Sequence, residues 1–369
     1  MSAPAIDDLA IAAAALVALP RMSADRLARL MTEWPDPRDV LMAIGSGRAV
    51  DPLKGPGRRD PTALVRSWSA RIDLEATKGW LRAHATHVFV AGRPGYPIDV
   101  GLPDHPRVLF AEGDRADALE RPRVGVVGTR AATPHGLADA HELGSVLARA
   151  GVTVVSGLAI GIDGASHEGA IGAGGTVVGV LGTGLDVVYP RRHVRLHREV
   201  RECGLIVSEY RYGTEPHPAR FPARNRIIAA LSDVLVVVEA TATGGARITA
   251  DLALEYGREL CVYPGSRRNP SARGSNEMLR TAHVIVEPDD VLGVLGLSEG
   301  SHRSPTVHRD RLGATANERA VMRALGGEPA TVDEVTSTAE LDPGPAAVAV
   351  AGLIRSGLLR RAHGLLWPT

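Results

Sequence analysis

The sequence predicts an α/β fold: a Rossmann-like, doubly wound, mainly parallel sheet, with a helical module before it and a winged-helix module after it. Three observations predict this. Between Arg123 and Leu295 short β-branched runs alternate with helical stretches, the pattern of βαβ units. Residues 1 to about 85 carry only helix punctuation, and the last segment reads as three helices followed by a hairpin. At 369 residues, 44% of them hydrophobic, the chain can build more than one core.

Taken in order, helices are expected at Ile6 to Leu19, Ser23 to Met31 after Pro20, Asp36 to Ile44 and about Ile72 to His84, with a Gly/Pro break at Gly55-Pro56-Gly57. His87 to Ala91 and Arg107 to Phe110 read as lead-in strands. Val124 to Val127 is the first strand of the main repeat. Thr133-Pro134 then supplies an N-cap and first-turn pair, and the helix closes at Gly151. Strands follow at 152–155, 176–181, 205–207, 234–238, 260–262 and 284–286, with helices at about Asp163 to Ala173 and Arg192 to Glu202. Residues 297–314 are polar and aperiodic, which predicts a linker. Helical stretches from Thr315, Leu358 to Arg361, a turn at His363-Gly364 and Leu365 to Trp367 complete the chain. The expected domains are therefore 1–85, 86–296 with its core at 120–290, and 315–369.

The formal net charge is zero, so affinity for a polyanion must come from a local patch. Lys54 and Lys78 are the only lysines, so arginine position carries the information and not arginine number. Cys203 and Cys261 lack metal-ligand spacing and suit a reducing, cytoplasmic setting. The apolar run Leu9 to Leu19 is too short to span a bilayer, and no membrane partner is expected. No cofactor is expected either. Gly125 to Arg130 lacks the Gly-x-Gly-x-x-Gly spacing of a dinucleotide site, no acid follows the second strand at Ser156-Gly157, and no P-loop occurs.

Phe221 to Leu231, FPARNRIIAAL, sets Arg224, Asn225 and Arg226 on an otherwise apolar helix. Arginines also follow predicted strands at Gly128-Thr129-Arg130, Pro190-Arg191-Arg192 and Gly244-Gly245-Ala246-Arg247, so all four segments are expected to converge on one crevice beyond the strand ends. Backbone N–H groups at the turns of Gly128, Thr129, Gly157, Gly244 and Gly245 would hold phosphate there. The alternative is solvated surface, or ion pairs with Glu209, Glu215 and Glu239. Phe221, Tyr210 and Tyr212 flank the arginines, and basic residues among aromatics fit a single-stranded nucleic-acid groove. Asp163 and His167 share a helix face as an acid/base pair would, but two groups make no metal site, and Asp163 is placed to cap the helix it begins. Ser156 reads as a turn residue. The helix at about Pro345 to Ile354 suits packing against protein better than reading bases.

The blocks VGTR at 127–130, SGLAIGID at 156–163, LGTGLDVVYPRRH at 181–193, SEY at 208–210, FPARNRIIAALSDVLVVVEA at 221–240, ITADLALEYGRELCVYPG at 248–265 and GSNEMLRTAHVIVE at 274–287 together resemble the DNA-processing protein A family (DprA, also called Smf). The resemblance is collinear over roughly 120–290, and RVLFAEGD at 107–114 extends it upstream. It implies a non-enzymatic, homodimeric protein that binds single-stranded DNA, protects incoming strands in natural transformation and helps load the RecA recombinase. It also implies an N-terminal helical module of SAM or helix-hairpin-helix type. The family's basic pocket maps onto Arg130, Arg224, Asn225 and Arg226, and its PRRH turn onto Arg191 and Arg192; Arg247 is added from position alone. Two departures stand out: Pro20-Arg21-Met22-Ser23 replaces the family's Gly-x-Gly hairpin, and Arg267 to Arg273 is more basic than usual.

Two other functions compete with this one. Gly244-Gly245 followed by Thr249 faintly matches the turn of the lysine-decarboxylase-like (LOG) nucleotide hydrolases, with Glu255 or Asp251 as the acid, although the proline and third glycine of that turn are absent. The third possibility is a protein scaffold that binds no DNA.

Overall fold

The computed structural model describes residues 6–55, 59–297, 316–325, 330–339, 341–355, 359–362 and 365–368. The chain divides into two units, Met1–Glu299 and Gly300–Thr369. The expected linker, apart from Leu297, and the His363-Gly364 turn lie outside the described residues, as do Pro56 and Gly57.

The first unit begins with helices α1 (Asp8–Ala18), α2 (Ala24–Glu33), α3 (Pro37–Gly45), α4 (Val50–Leu53), α5 (Thr62–Ser69) and α6 (Leu74–Ala83). Asp7, Ser23, Asp36 and Asp73 each cap the helix that follows by accepting a backbone N–H, so these starts are written locally in the sequence. Helices α4 and α5 were not expected. Both are short and neither has a side-chain cap, and Trp68 of α5 is fixed instead by burial and by donating to the carbonyl of Pro20 at 2.8 Å.

Next come β1 (His87–Val90), β2 (Val108–Glu112), β3 (Arg123–Val127), α7 (Pro134–Arg149), β4 (Thr153–Ser156), α8 (Ile162–Gly172), β5 (Val177–Val180), α9 (Val194–Cys203) and β6 (Gly204–Ser208). The unit closes with α10 (Arg220–Leu231), β7 (Val234–Val237), α11 (Gly245–Glu255), β8 (Glu259–Val262), α12 (Arg273–Met278), β9 (His283–Val284) and α13 (Asp289–Val294). The strands form one nine-stranded sheet in the order β1-β2-β6-β5-β4-β3-β7-β8-β9. The β1–β2 and β2–β6 pairs are antiparallel and the others parallel. Strands β3 to β7 are almost wholly buried, which is why they read as continuous Val/Leu/Ile runs and not as alternating ones.

From β3 the chain steps outward through β4, β5 and β6, then returns to lay β7 on the other side of β3, in register Val124 with Val234. The winding reverses between β3 and β7, and the loops leaving their carboxyl ends bound the crevice described below. One apolar cluster runs from Leu16, Leu30 and Trp68 through Val90 and Phe110 to Val124, so the N-terminal helices share a core with the sheet. Trp80 sits edge-on to Tyr212, with ring centroids 4.2 Å apart.

The second unit holds α14 (Ala316–Leu325), β10 (Ala330–Thr331), α15 (Val332–Thr338), α16 (Pro343–Arg355), β11 (Leu359–Ala362) and β12 (Leu365–Pro368). Its strands pair in the order β10-β12-β11 around a small core that includes Val321, Val335, Leu353 and Leu366. The capping box Thr331/Glu334 starts α15.

Candidate functional site

At the reversal point lies an open crevice of about 490 Å³. The β3–α7 loop supplies Gly128, Thr129 and Arg130, α10 supplies Phe221, Arg224 and Asn225, and the β7–α11 loop supplies Thr241, Gly244 and Gly245.

Arg224 forms its floor. The side chain is only 3% exposed, and its guanidinium donates to the carbonyls of Gly157, at 2.6 Å, and Val180. A Cβ on residue 157 would lie 2.4 Å from that guanidinium, so only glycine fits. Burial lowers the Arg224 pKa to about 10, while buried Asp163 nearby opposes the shift, and Arg224 remains a cation at neutral pH. Burial pushes Asp163 up, and Arg224 with two backbone N–H groups offsets only part of that rise. Those N–H groups belong to Gly157, at 3.1 Å, and Ala159, at 3.4 Å. Asp163 therefore does not cap α8, whose N-cap is Gly161; it braces the preceding loop, in which buried Leu158 adopts φ 55. Gly161 has φ 89, and a Cβ there would meet the Thr129 carbonyl at 2.4 Å, so the loops after β3 and β4 touch because residue 161 is glycine.

The wall is aromatic. Phe221 and Tyr189 lie 5.0 Å apart at an interplanar angle of 31°, and the Arg130 guanidinium sits 5.5 Å from the Phe221 centroid. Arg130 is exposed and makes no ion pair among the described residues, which leaves its charge available to a ligand. Facing it, α11 starts after the N-cap Gly244 with no side-chain cap; the Arg247 N–H is taken by the Gly244 carbonyl at 3.0 Å, and the Gly245 and Ala246 N–H groups open on the crevice with the positive end of the helix behind them. Asn225 is anchored by donating to the Gly245 carbonyl at 3.3 Å.

The neighbouring helix start is filled. The Glu239 carboxylate, at the end of β7, accepts from the Thr133 N–H at 2.8 Å, the Thr133 hydroxyl at 3.2 Å and the Asn269 amide at 2.7 Å. Thus Glu239 pairs with no arginine among the described residues. A dinucleotide-binding fold would hold its pyrophosphate at this first βα turn; here a buried carboxylate of the chain itself stands beside it.

Not all the arginine segments converge. Arg130, Phe221, Arg224 and Asn225 meet with Gly128, Thr129, Gly244 and Gly245, and Gly157 lies beneath Arg224. Arg226 is absent from the crevice lining and pairs with Glu209 at 2.6 Å, the ion-pair alternative. Arg247, in the first turn of α11, pairs with Asp251 and Glu277, each at 3.4 Å. Arg191 and Arg192 are exposed on the turn before α9, and only the preceding Tyr189 reaches the wall. The divergence within α10 was legible: residues two apart on a helix lie about 200° apart around its axis. Tyr189, Thr241 and the plug at Glu239 were missed, the last because Thr133 and Glu239 are 106 positions apart.

His167 is fully buried, and burial holds its pKa at about 3, so it is a neutral packing group and no partner in acid/base work. Ser156 ends β4 and donates to the Val126 carbonyl at 2.6 Å. Thr249 donates to the Gly245 carbonyl at 3.1 Å within its own helix, and exposed Asp251 and Glu255 lie off the crevice. The one carboxylate in the lining is thus the buried Asp163. Among the described residues no group of three His, Cys, Asp or Glu could hold a metal, and no helix is long and apolar enough to cross a membrane.

The family model for DNA recombination-mediator protein A matches residues 87–296. Protein Smf of Escherichia coli is 38% identical over 225 residues, which cover 60% of this chain and 60% of that protein, so the chain spans well under two thirds of this relative. The X-ray structure of DNA processing protein A from Streptococcus pneumoniae superposes with a TM-score of 0.66 at 31% identity, covering 78% of this chain and 97% of that one. DNA processing protein A from Helicobacter pylori, described for its single-stranded DNA binding mode, superposes with a TM-score of 0.51 at 31% identity, covering 57% and 95%.

Proposed function

The chain belongs to the DNA recombination-mediator protein A family, and from that premise we propose that it is a non-enzymatic protein that holds single-stranded DNA in the crevice at the β3/β7 reversal. The carrying observation is the pairing of an uncapped α11 start with exposed Arg130 across a lining whose only carboxylate is buried and matched by Arg224. Phosphate satisfies orphan N–H groups and guanidinium together. Arg130, Asn225 and the Gly244-Gly245 turn touch the backbone, Phe221 with Tyr189 offers one stacking surface, and Arg224 supplies charge from below. Arg191, Arg192 and Arg247 flank the mouth.

The family setting supports a role in protecting the strand and loading the RecA recombinase in transformation or recombination, in the cytoplasm. The three helices and three-stranded sheet among the described residues of the second unit support assignment as a winged helix that engages a protein partner. The N-terminal helices correspond to the SAM or helix-hairpin-helix module. A homodimer through the β9 edge is favoured by Val284 and Val286, which are 49% and 71% exposed at the open outer edge of the sheet; a strict monomer by analytical ultracentrifugation would overturn it. The hydrolase reading has no support in the geometry, because its candidate acids lie off the crevice.

The test is anisotropy binding of labelled oligothymidylate and of a matched duplex, at two salt concentrations, to wild type and to Arg130→Ala/Asn225→Ala. The single strand should bind preferentially, with salt sensitivity of about 0.7 in log–log slope per phosphate contact, and the variant should lose at least about tenfold, the scale of a 1.4 kcal/mol contact. Unchanged affinity in the variant overturns the assignment.

A further inference from the structure

Helix α10 carries a second cationic face. Behind the crevice a groove of about 700 Å³ lies between the α1–α2 turn and the segment from Glu209 to Arg226, and it is larger than the crevice itself. Its cations are Arg21, Arg107, Arg211, Arg220 and Arg226, and its carboxylates are Asp25, Asp104 and Glu209. Glu209 is consumed by Arg226. Arg107, Arg211 and Arg220 form no ion pair among the described residues: Arg107 donates to the Thr32 hydroxyl at 3.3 Å, Arg220 donates to the Glu215 carbonyl and stacks 5.4 Å from the Tyr210 centroid, and Arg211 is exposed. The groove therefore pairs guanidinium with an aromatic ring, as the crevice does with Arg130 and Phe221.

The two sites share a boundary. Pro218, Phe221, Pro222 and Asn225 line the crevice, while Arg220, Ala223 and Arg226 line the groove, so the first turns of α10 form the ridge between them. A flexible phosphodiester chain crossing that ridge meets arginines on both sides.

We propose that this groove is a second single-strand-binding track, which takes the phosphates of the same strand as it leaves the crevice. This rests on the reading of the crevice given above. Arg211 and Arg220 contact phosphate, Tyr210 stacks a base, and the Arg226–Glu209 pair fixes the wall without contacting the ligand. A polyanion is favoured over an acidic protein segment because the free cations come as flat guanidinium groups beside an aromatic ring, the pairing suited to backbone and base together.

The test compares oligothymidylates of about 6 and about 20 nucleotides, spanning the range one or two binding modules occupy, on the full chain and on Arg211→Ala/Arg220→Ala. In wild type the longer strand should bind at least about tenfold tighter. The variant should lose that gain and about 0.7 of salt slope per contact removed, with the short strand unaffected, and Arg211→Lys/Arg220→Lys should restore part of it. If the double variant melts early, Arg211→Glu, at an exposed position, serves instead. A long-strand affinity that survives the substitutions overturns the track and leaves an acidic partner as occupant. Equal losses for both lengths also overturn it, since the groove would then not be separate from the crevice. Failure of wild type to bind either strand sinks the crevice reading first.

Discussion

Helices α7 and α11 follow the neighbouring strands β3 and β7, yet their first turns are served in opposite ways. At α7, Thr133 caps the Gly136 N–H, and the Glu239 carboxylate lies against the same turn, within 2.5 Å of where a Cβ on residue 136 would be. At α11 the cap is Gly244, with no side chain to fill the turn. An anion can reach only the second of these helix starts. The first βα turn, the usual phosphate position of the fold, is closed by the chain's own carboxylate, so the open site moves one strand over to the α10–α11 side.

The largest effect should come from the floor under the open site. Arg224→Ala leaves the buried Gly157 and Val180 carbonyls without their donor and removes the nearer cation from buried Asp163, which costs about 2–4 kcal/mol; thermal melting should show it, and binding should be lost with the fold. Arg224 is therefore a poor probe of contact, and Arg130 and Asn225 are the informative ones. An Arg224→Ala protein as stable as wild type would show that the Arg224 bonds to the Gly157 and Val180 carbonyls do not hold the crevice together.

At the closed site, Glu239→Gln sets an amide against three donors and should cost about 2 kcal/mol, measured by urea unfolding, while single-strand affinity stays within about threefold, less than a 1 kcal/mol change. A larger loss of affinity than of stability would mean the two helix starts are not separate.

Acid should weaken the scaffold before it weakens the contacts. Burial holds His167 at about 3 and His197 at about 4 in the fold, against 6.5 for a free imidazole. The unfolded chain therefore takes up protons first. Stability is full above about pH 6.5 and falls below it by about 1.4 kcal/mol per pH unit for each histidine, until each folded value is passed. A melting temperature that is flat between pH 6.5 and 4.5 would contradict the burial of these rings.

The smallest effect makes α11 resemble α7. Gly244→Asp supplies a capping carboxylate, with the Thr241 hydroxyl, 2.7 Å from the new Cβ, turning aside. Stability should hold or rise by a few tenths of a kcal/mol, and oligothymidylate should bind about tenfold more weakly, a 1.4 kcal/mol effect. Unimpaired binding would remove the α11 start from the site.

Much of this was legible in the chain. Strands β3 to β8 and helices α7 to α11 follow from runs of Val, Leu and Ile between capping and glycine signals, because backbone preference and burial period act over a few residues. The crevice at the strand ends followed from the same alternation. Helix α5 was not legible, since its start carries no side-chain cap and its stability comes from Trp68 in a distant core.

The order of elements, the parallel sheet, and the placement of Arg130, Phe221, Arg224 and Asn225 near one set of turns are local properties of the chain and follow from its residues alone. Their roles come from long-range contacts. Asp163 turns from cap to counter-ion because Arg224 is brought to the loop it braces, Glu239 turns from an arginine partner into a plug, and Arg226 is handed to Glu209 in another groove. Charge and hydrogen-bond partners are settled by contacts across tens to a hundred positions of chain, and no local pattern encodes which buried group will meet which.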